Sequence, residues 1–198
     1  MLLSPKIKKA KALASELHQK QMRKQGGQPY IVHPAGVFSI LKKYTNDENI
    51  LCAAWLHDTL EDVKDYDYKK LKKDFNQKIV YIVQEVSEDK ESDESLAQKR
   101  KTWKTRKIKY IENMKKASPE ALMVAAADKI DNLRSLVKNY QQKGDQIWSV
   151  FNAPEPKKEE KIWYFKAVLK VIKARLDNDI ILEYEKLLES AERVFNQS

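Results

Sequence analysis

Four side chains able to bind a metal or transfer a proton fall within six residues at His57-Asp58-Thr59-Leu60-Glu61-Asp62, directly behind the apolar run Ile50 to Leu56. Projected on a helix at about 100° per residue, His57, Asp58, Glu61 and Asp62 occupy one arc of roughly 140°, and Trp55, Leu56, Thr59, Leu60 and Val63 fill the opposite arc. One face reads as core and the other as a cluster of ligands. Three carboxylates and an imidazole this close would repel and raise one another's pKa unless a cation or a hydrogen-bond network compensated them. A bound divalent metal is the simplest compensation. The alternative is a solvated acidic helix face, although such faces rarely begin with a histidine set against an apolar run.

The elements that would bring partners to this cluster are helices. Pro5 to Met22 carries Ile7, Ala10, Leu13, Ala14, Leu17 and His18 at helical spacing, with Ser4 as its cap, and His18 reads as a core or capping histidine. Arg23-Lys24-Gln25-Gly26-Gly27-Gln28-Pro29 stops that helix and leads to His33-Pro34, where the proline suits the first turn of a helix running to about Tyr44. Asp47 is placed to cap the next helix, which includes the central motif. Helical spacing resumes from Tyr68 to Glu88 with a break near Asn76, and Ser87 to Ser95, almost without apolar residues, reads as a mobile loop that either links or covers. A basic helix over 98–116 follows. Ser118-Pro119-Glu120 then supplies cap, first-turn proline and first-turn acid for a helix that is mostly small and apolar from Ala121 up to Asp128. Asp128, Asn132 and Ser135 recur at i, i+4 and i+7, a polar stripe on a helix whose earlier part reads as buried, and a buried carboxylate needs a partner. A proline-containing break at Asn152 to Pro156 precedes two closing helices, about 158–175 and 179–195.

Composition sets the outer bounds. The 198 residues, 42% of them hydrophobic, are enough for one domain with a substantial core, and four glycines and six prolines favour helices over a turn-rich sheet architecture. The expected class is all-α, one domain over 1–198. The single cysteine, Cys52, lies in the apolar run and reads as a packing residue, which fits a reducing cytoplasm. No cleavable leader and no apolar stretch of about 18 residues is found, so the expected location is cytoplasmic, with no membrane contact. The net charge of +9 is concentrated in Lys6 to Lys24 and Lys99 to Lys116. Without a zinc-finger spacing or an aromatic RNA-binding signature, this basicity points to a small phosphorylated ligand and away from nucleic acid.

His33, His57, Asp58 and Asp128, drawn from three helices, together with Glu61 and Asp62, follow an order that resembles the HD superfamily of metal-dependent phosphohydrolases. Arg23-Lys24-x-Gly-x-x-Pro29-Tyr30-Ile31-x-His33-Pro34, His57-Asp58-Thr59-x-Glu61-Asp62 and Ala127-Asp128-Lys129-x-x-Asn132-Leu133-Arg134 are similar to the hydrolase half of RelA/SpoT proteins and to the stand-alone small alarmone hydrolases, over about residues 5–175. The resemblance implies an all-α HD-type helical bundle that hydrolyses the 3′-pyrophosphate of guanosine tetra- or pentaphosphate, with Mn²⁺ as the usual metal. It implies His33, His57, Asp58 and Asp128 as metal ligands and Glu61 and Asp62 as the groups that orient water and transfer protons. Two imidazoles and two carboxylates suit Mn²⁺ or Fe²⁺, and Zn²⁺ fits the same donors. A cation there polarises a phosphoryl oxygen and lowers the pKa of a water.

By the same resemblance Arg23 and Lys24 contact base or phosphates, Asn132 contacts the nucleoside, and Lys107 corresponds to a phosphate-facing lysine. Lys161 and Tyr164 resemble a late-helix substrate contact, with no role assigned. The tryptophans Trp55, Trp103, Trp148 and Trp163, with Phe165, read as packing residues. One departure is Asp131, which stands where alarmone hydrolases commonly carry His or Tyr and adds a negative charge near a site for a polyanion. No synthetase segment follows, so alarmone synthesis is not expected. Two other functions fit the sequence: an HD nucleotidase for another nucleotide, and a nucleotide-sensing or nucleic-acid-binding module without turnover.

Overall fold

The computed structural model describes residues 3–24, 27–88 and 95–196, and no β-strand occurs among them. The helices are α1 (Pro5–Leu17), α2 (Val32–Leu41), α3 (Glu48–Leu56), α4 (Thr59–Asp62), α5 (Tyr68–Asp74), α6 (Gln77–Val86), α7 (Leu96–Met114), α8 (Pro119–Lys143), α9 (Lys157–Arg175) and α10 (Ile180–Phe195), with a 3-10 segment Gly144–Val150 after α8. Their starts are chemically marked. Ser4, Asp47, Asp67, Asn76, Ser95 and Ser118 each accept a hydrogen bond from a backbone N–H of the first turn they precede. Each such cap supplies about 1 kcal/mol by satisfying a donor that has no partner inside the helix.

Helix α8 is the axis of the fold. Its stretch Ala121 to Ile130 is buried throughout, and α2, α3, α6, α9 and α10 all pack on it. Small side chains at Ala121, Ala125, Ala126 and Ala127 let these helices approach closely, and apolar residues from the surrounding helices join one contiguous core. Cys52 is fully buried in that core, as a packing residue should be. The tryptophans also pack: Trp55 against Phe38, Trp103 against Tyr164 and Trp163, and Trp148 against Tyr140 and Phe195. No helix among the described residues is long and apolar enough to cross a membrane.

Two expected features differ. The first helix ends at Leu17 and not at Met22; His18 caps it with a buried ring, and Met22 pairs with Pro29 in an isolated antiparallel bridge that sets the position of Arg23. The central motif is not continuous helix, because α3 stops at Leu56 and His57-Asp58 form a turn before α4. Here the His57 Nδ1–H donates to the Ala54 carbonyl at 2.9 Å and the Thr59 hydroxyl donates to the Leu56 carbonyl at 2.7 Å. These side chains occupy carbonyls that backbone N–H groups four residues on would otherwise take. Residues 89–94 of the expected mobile loop lie outside the described residues, while Glu88 before them is buried.

Candidate active site

The turn at His57-Asp58 faces the start of α2 and the middle of α8. His33, in the first turn of α2, sets its Nε2 3.2 Å from His57 Nε2, 3.1 Å from Asp128 Oδ1 and 3.5 Å from Asp58 Oδ2. His57 Nε2 lies 3.0 Å from Asp58 Oδ2 and 3.9 Å from Asp128 Oδ1. Both rings donate outward through Nδ1, His57 to the Ala54 carbonyl and His33 to Asp131 Oδ2 at 2.6 Å. Their Nε2 lone pairs therefore point inward, at each other and at two carboxylates. The two ring nitrogens face each other with no donor between them, and a shared proton or a cation satisfies that pair together with the carboxylates, whose Asp58 Oδ2 and Asp128 Oδ1 also accept from the Tyr30 hydroxyl and the Asn132 amide. Ligands held about 2.1 Å from one ion lie about 3.0–3.4 Å from each other, close to the spacings found. The His33, His57 and Asp58 donors all fall within 4.8 Å of one another, and this cluster fits a divalent metal.

The electrostatics agree. Burial pushes the His57 pKa down, but Asp58 and Asp128 outweigh it and lift it to about 9. Burial would raise the Asp58 carboxyl, yet the His57 and His33 imidazoles and the Tyr30 hydroxyl, which donates to Oδ2 at 2.5 Å, hold it well below the usual carboxylate range. Asp128 is likewise held low, against its burial, by Lys129 and His33. Lys129 Nζ donates to Asp128 Oδ2, and Asn132 Nδ2 donates to its Oδ1.

These residues line one cavity of about 340 Å³ together with Gln21, Arg23, Lys24, Tyr30, Glu61, Asp62, Glu88, Lys107, Tyr110, Lys161, Tyr164 and Phe165. All ten residues expected at the site are therefore brought to one place. Glu61 Oε2 accepts the Glu88 backbone N–H at 3.0 Å, and Asp62 Oδ2 accepts from Gln21 Nε2 at 3.1 Å. Gln21 is oriented in turn by the His18 ring, 2.7 Å from its Oε1. Arg23 is largely buried, its guanidinium donating to Asp131 Oδ2 and to Asn132 Oδ1, both at 3.0 Å. Lys107 sits in the cavity wall but is paired with Glu88 at 2.5 Å, and Arg106 takes the other Glu88 oxygen at 2.6 Å. Ser135 does not line the cavity; the polar stripe of α8 ends at Asn132, and Leu136 occupies the next turn of the wall.

Asp131 is not one of the lining residues; its carboxylate is turned to the Arg23 guanidinium and the His33 ring behind the cavity wall. Its partners are Arg23 and His33; of the bases near it in sequence, Lys129 pairs with Asp128 and Arg134 with Glu183. Phe165, expected only to pack, does line the cavity, and no tryptophan does. Sequence reasoning missed Gln21, Tyr30, Glu88, Lys129 and Tyr110. Lys129 had a signal, being adjacent to a buried Asp128. Glu88 had none, because it opens a run of charged residues that reads as linker.

A family model described as "HD domain" matches residues 10–155. A curated guanosine-3′,5′-bis(diphosphate) 3′-pyrophosphohydrolase MESH1 from Drosophila melanogaster is 33% identical over 74% of this chain and 82% of its own length. The protein of the same name from Xenopus tropicalis is 34% identical over 89% of this chain and 88% of its own length. A solved structure described as a metazoan ortholog of SpoT that hydrolyses ppGpp superposes with a TM-score of 0.73 at 27% identity, covering 96% of this chain and 97% of the other. With the model spanning most of the sequence and relatives of this identity matched along most of their own length, the chain belongs to the HD domain family, in the group that includes the MESH1 proteins.

Proposed function

We propose that this chain hydrolyses the 3′-pyrophosphate of guanosine tetra- or pentaphosphate, adding water to release pyrophosphate and GDP or GTP. The carrying observation is that the His33, His57, Asp58 and Asp128 donors and three lysines, Lys107, Lys129 and Lys161, line one cavity. The relatives' names point to the same reaction.

His33, His57, Asp58 and Asp128 would hold the ion, with Mn²⁺ the leading choice for two nitrogen and two oxygen donors and Fe²⁺ or Zn²⁺ compatible with them. When bound, it supplies Lewis acidity to a phosphoryl oxygen and acidifies a water. Glu61 and Asp62, anchored by the Glu88 N–H and by Gln21, border the donor cluster and serve to orient the water and move its proton. The cavity wall carries Arg23, Lys24, Lys107, Lys129 and Lys161 against Asp58, Glu61, Asp62, Glu88 and Asp128. Basic and acidic side chains are equal in number, so the ion provides the excess positive charge that a polyanion needs.

A second reading, hydrolysis of a nucleotide with fewer phosphates, has one observation in its favour. Arg23, Lys107 and Lys129 each already have a carboxylate partner inside the protein, in Asp131, Glu88 and Asp128. A nucleotide panel assayed with Mn²⁺, with products resolved by chromatography, separates the two. The expected result is pyrophosphate and GDP from the tetraphosphate, with little turnover of ordinary nucleotides. No pyrophosphate at saturating Mn²⁺ alongside rapid turnover of another nucleotide would reject the alarmone reading and keep the hydrolase.

A further inference from the structure

The aspartate on α8 that the sequence marks as out of place is fixed from three directions. Asp131 Oδ2 accepts from His33 Nδ1 at 2.6 Å and from an Arg23 guanidinium nitrogen at 3.0 Å. Its other oxygen lies against Gly36, one turn after His33 on α2. A Cβ built at Gly36 would fall inside the Asp131 Oδ1 atom and 2.8 Å from its Cγ, closer than such atoms approach. Glycine inside a helix costs about 1 kcal/mol relative to alanine, and this one has no positive φ to justify it. What it provides is room for the carboxylate.

We propose that Asp131 is a positioning residue of the metal centre, holding His33 with its Nε2 lone pair toward the ion, and that Gly36 and Arg23 are present to seat that carboxylate. The inference rests on the proposed metal role of His33. A carboxylate accepting from the remote N–H of a ligating histidine fixes the tautomer, restrains the ring and makes the inward nitrogen more basic. Arg23 supplies a counter-charge to Asp131 through one guanidinium nitrogen, and its second nitrogen holds Asn132, which itself donates to Asp128. One relay thus runs from His33 through Asp131, Arg23 and Asn132 to Asp128, joining two expected ligands behind the cavity. Arg23, expected from the sequence to contact substrate, has both terminal nitrogens engaged in that relay.

The test uses the full metal-free chain and Mn²⁺ alone, with the dissociation constant measured by chelator competition and the melting temperature of the metal-free protein as the structural control. Asp131→Ala is expected to weaken Mn²⁺ binding by about 10–100-fold, the usual effect of losing such a partner. Asp131→Asn, which still accepts from the imidazole but lacks the charge, is expected to lie between it and the parent. Gly36→Ala should weaken binding in the same direction although it removes no polar group and improves helix propensity. Because both changes act through one carboxylate, Gly36→Ala combined with Asp131→Ala should bind no worse than Asp131→Ala alone. Should Asp131→Ala not fold, Asp131→Asn and Gly36→Ala carry the comparison. Binding within twofold of the parent in the folded variants, or a fall in metal-free melting temperature alone, overturns the inference. A parent chain that binds no Mn²⁺ overturns it together with the metal-site reading, and that outcome is visible before any variant is made.

Discussion

Asp58 and Asp62 show how one side-chain type is put to two uses by its surroundings. Asp58 is wrapped by two imidazoles and the Tyr30 hydroxyl, which keep it charged in spite of burial, whereas Asp62 is solvent-exposed and tethered by the Gln21 amide. The first environment suits an ion ligand and the second a group that exchanges protons. Replacing His57 and Asp58 together by Ala is expected to abolish stoichiometric Mn²⁺ retention, read by elemental analysis; metal retained with activity intact would remove the site. Glu61→Gln or Asp62→Asn should instead keep the metal and lower turnover on the order of 10²-fold or more, the usual loss for a positioned proton-transfer group. Unchanged rates in both would return these carboxylates to the status of a solvated face. The adjacent residues were legible because chemistry packed into six positions is conspicuous, and Asp128 because a charge interrupts an apolar run. The role of Asp131 was not, since it depends on Arg23, 108 positions away, and on Gly36, whose meaning appears only when two helices are brought together.

At the scale of elements, the readable features were local. Ser4, Asp47, Asn76 and Ser118 were placed as caps or breaks by residue type, and each does cap, because an N-cap is decided within four residues. The interruption at His57-Asp58 was hidden because α3 and α4 continue a helical apolar pattern across it, and the break comes from side chains taking backbone carbonyls. That turn lets His57 aim into the cluster while Glu61 and Asp62 line the same cavity from the next turn. The start of α8 offers a direct test. Ser118 Oγ accepts from the Ala121 N–H at 3.3 Å and donates to Glu85 Oε2 at 2.5 Å, pinning α8 to α6. Ser118→Ala should cost about 1–2 kcal/mol, and so lower the melting temperature by about 2–8 °C for a chain of this size. Calorimetry of the metal-free protein measures it, and Mn²⁺ affinity should stay unchanged because Asp128 lies well along the helix. An unaltered melting temperature would mean that α8 is fixed by its packing alone.

Across the whole molecule, the charge distribution converges on Lys161 of α9. It faces Lys107 from α7 and Lys129 and Asp128 from α8, with Glu88 from the segment just after α6, and its ammonium lies 4.6 Å from the Phe151 ring centroid. Burial, and then the Lys107 and Lys129 charges, push its pKa down to about 7, with Asp128 and Glu88 opposing them weakly. A cavity built by several segments has thus produced a lysine that titrates in the working range, which neither composition nor the net charge of +9 reveals. A polyanion binds the protonated form better, so substrate binding should take up a proton once the pH exceeds about 7. The sign follows directly: kcat/KM, which reports the free enzyme, should fall above about pH 7 by up to about tenfold per pH unit from this group. Arginine stays charged across that range, so Lys161→Arg should flatten the alkaline limb, and Lys161→Gln should give a lower activity without that limb. Measured at saturating Mn²⁺ and constant ionic strength, the difference between the pH profiles of the parent and the Lys161→Arg variant isolates this side chain from any other titrating group. Superimposable profiles would show that Lys161 does not meet the phosphates, and would assign the basic pole of the cavity to Lys107 and Lys129.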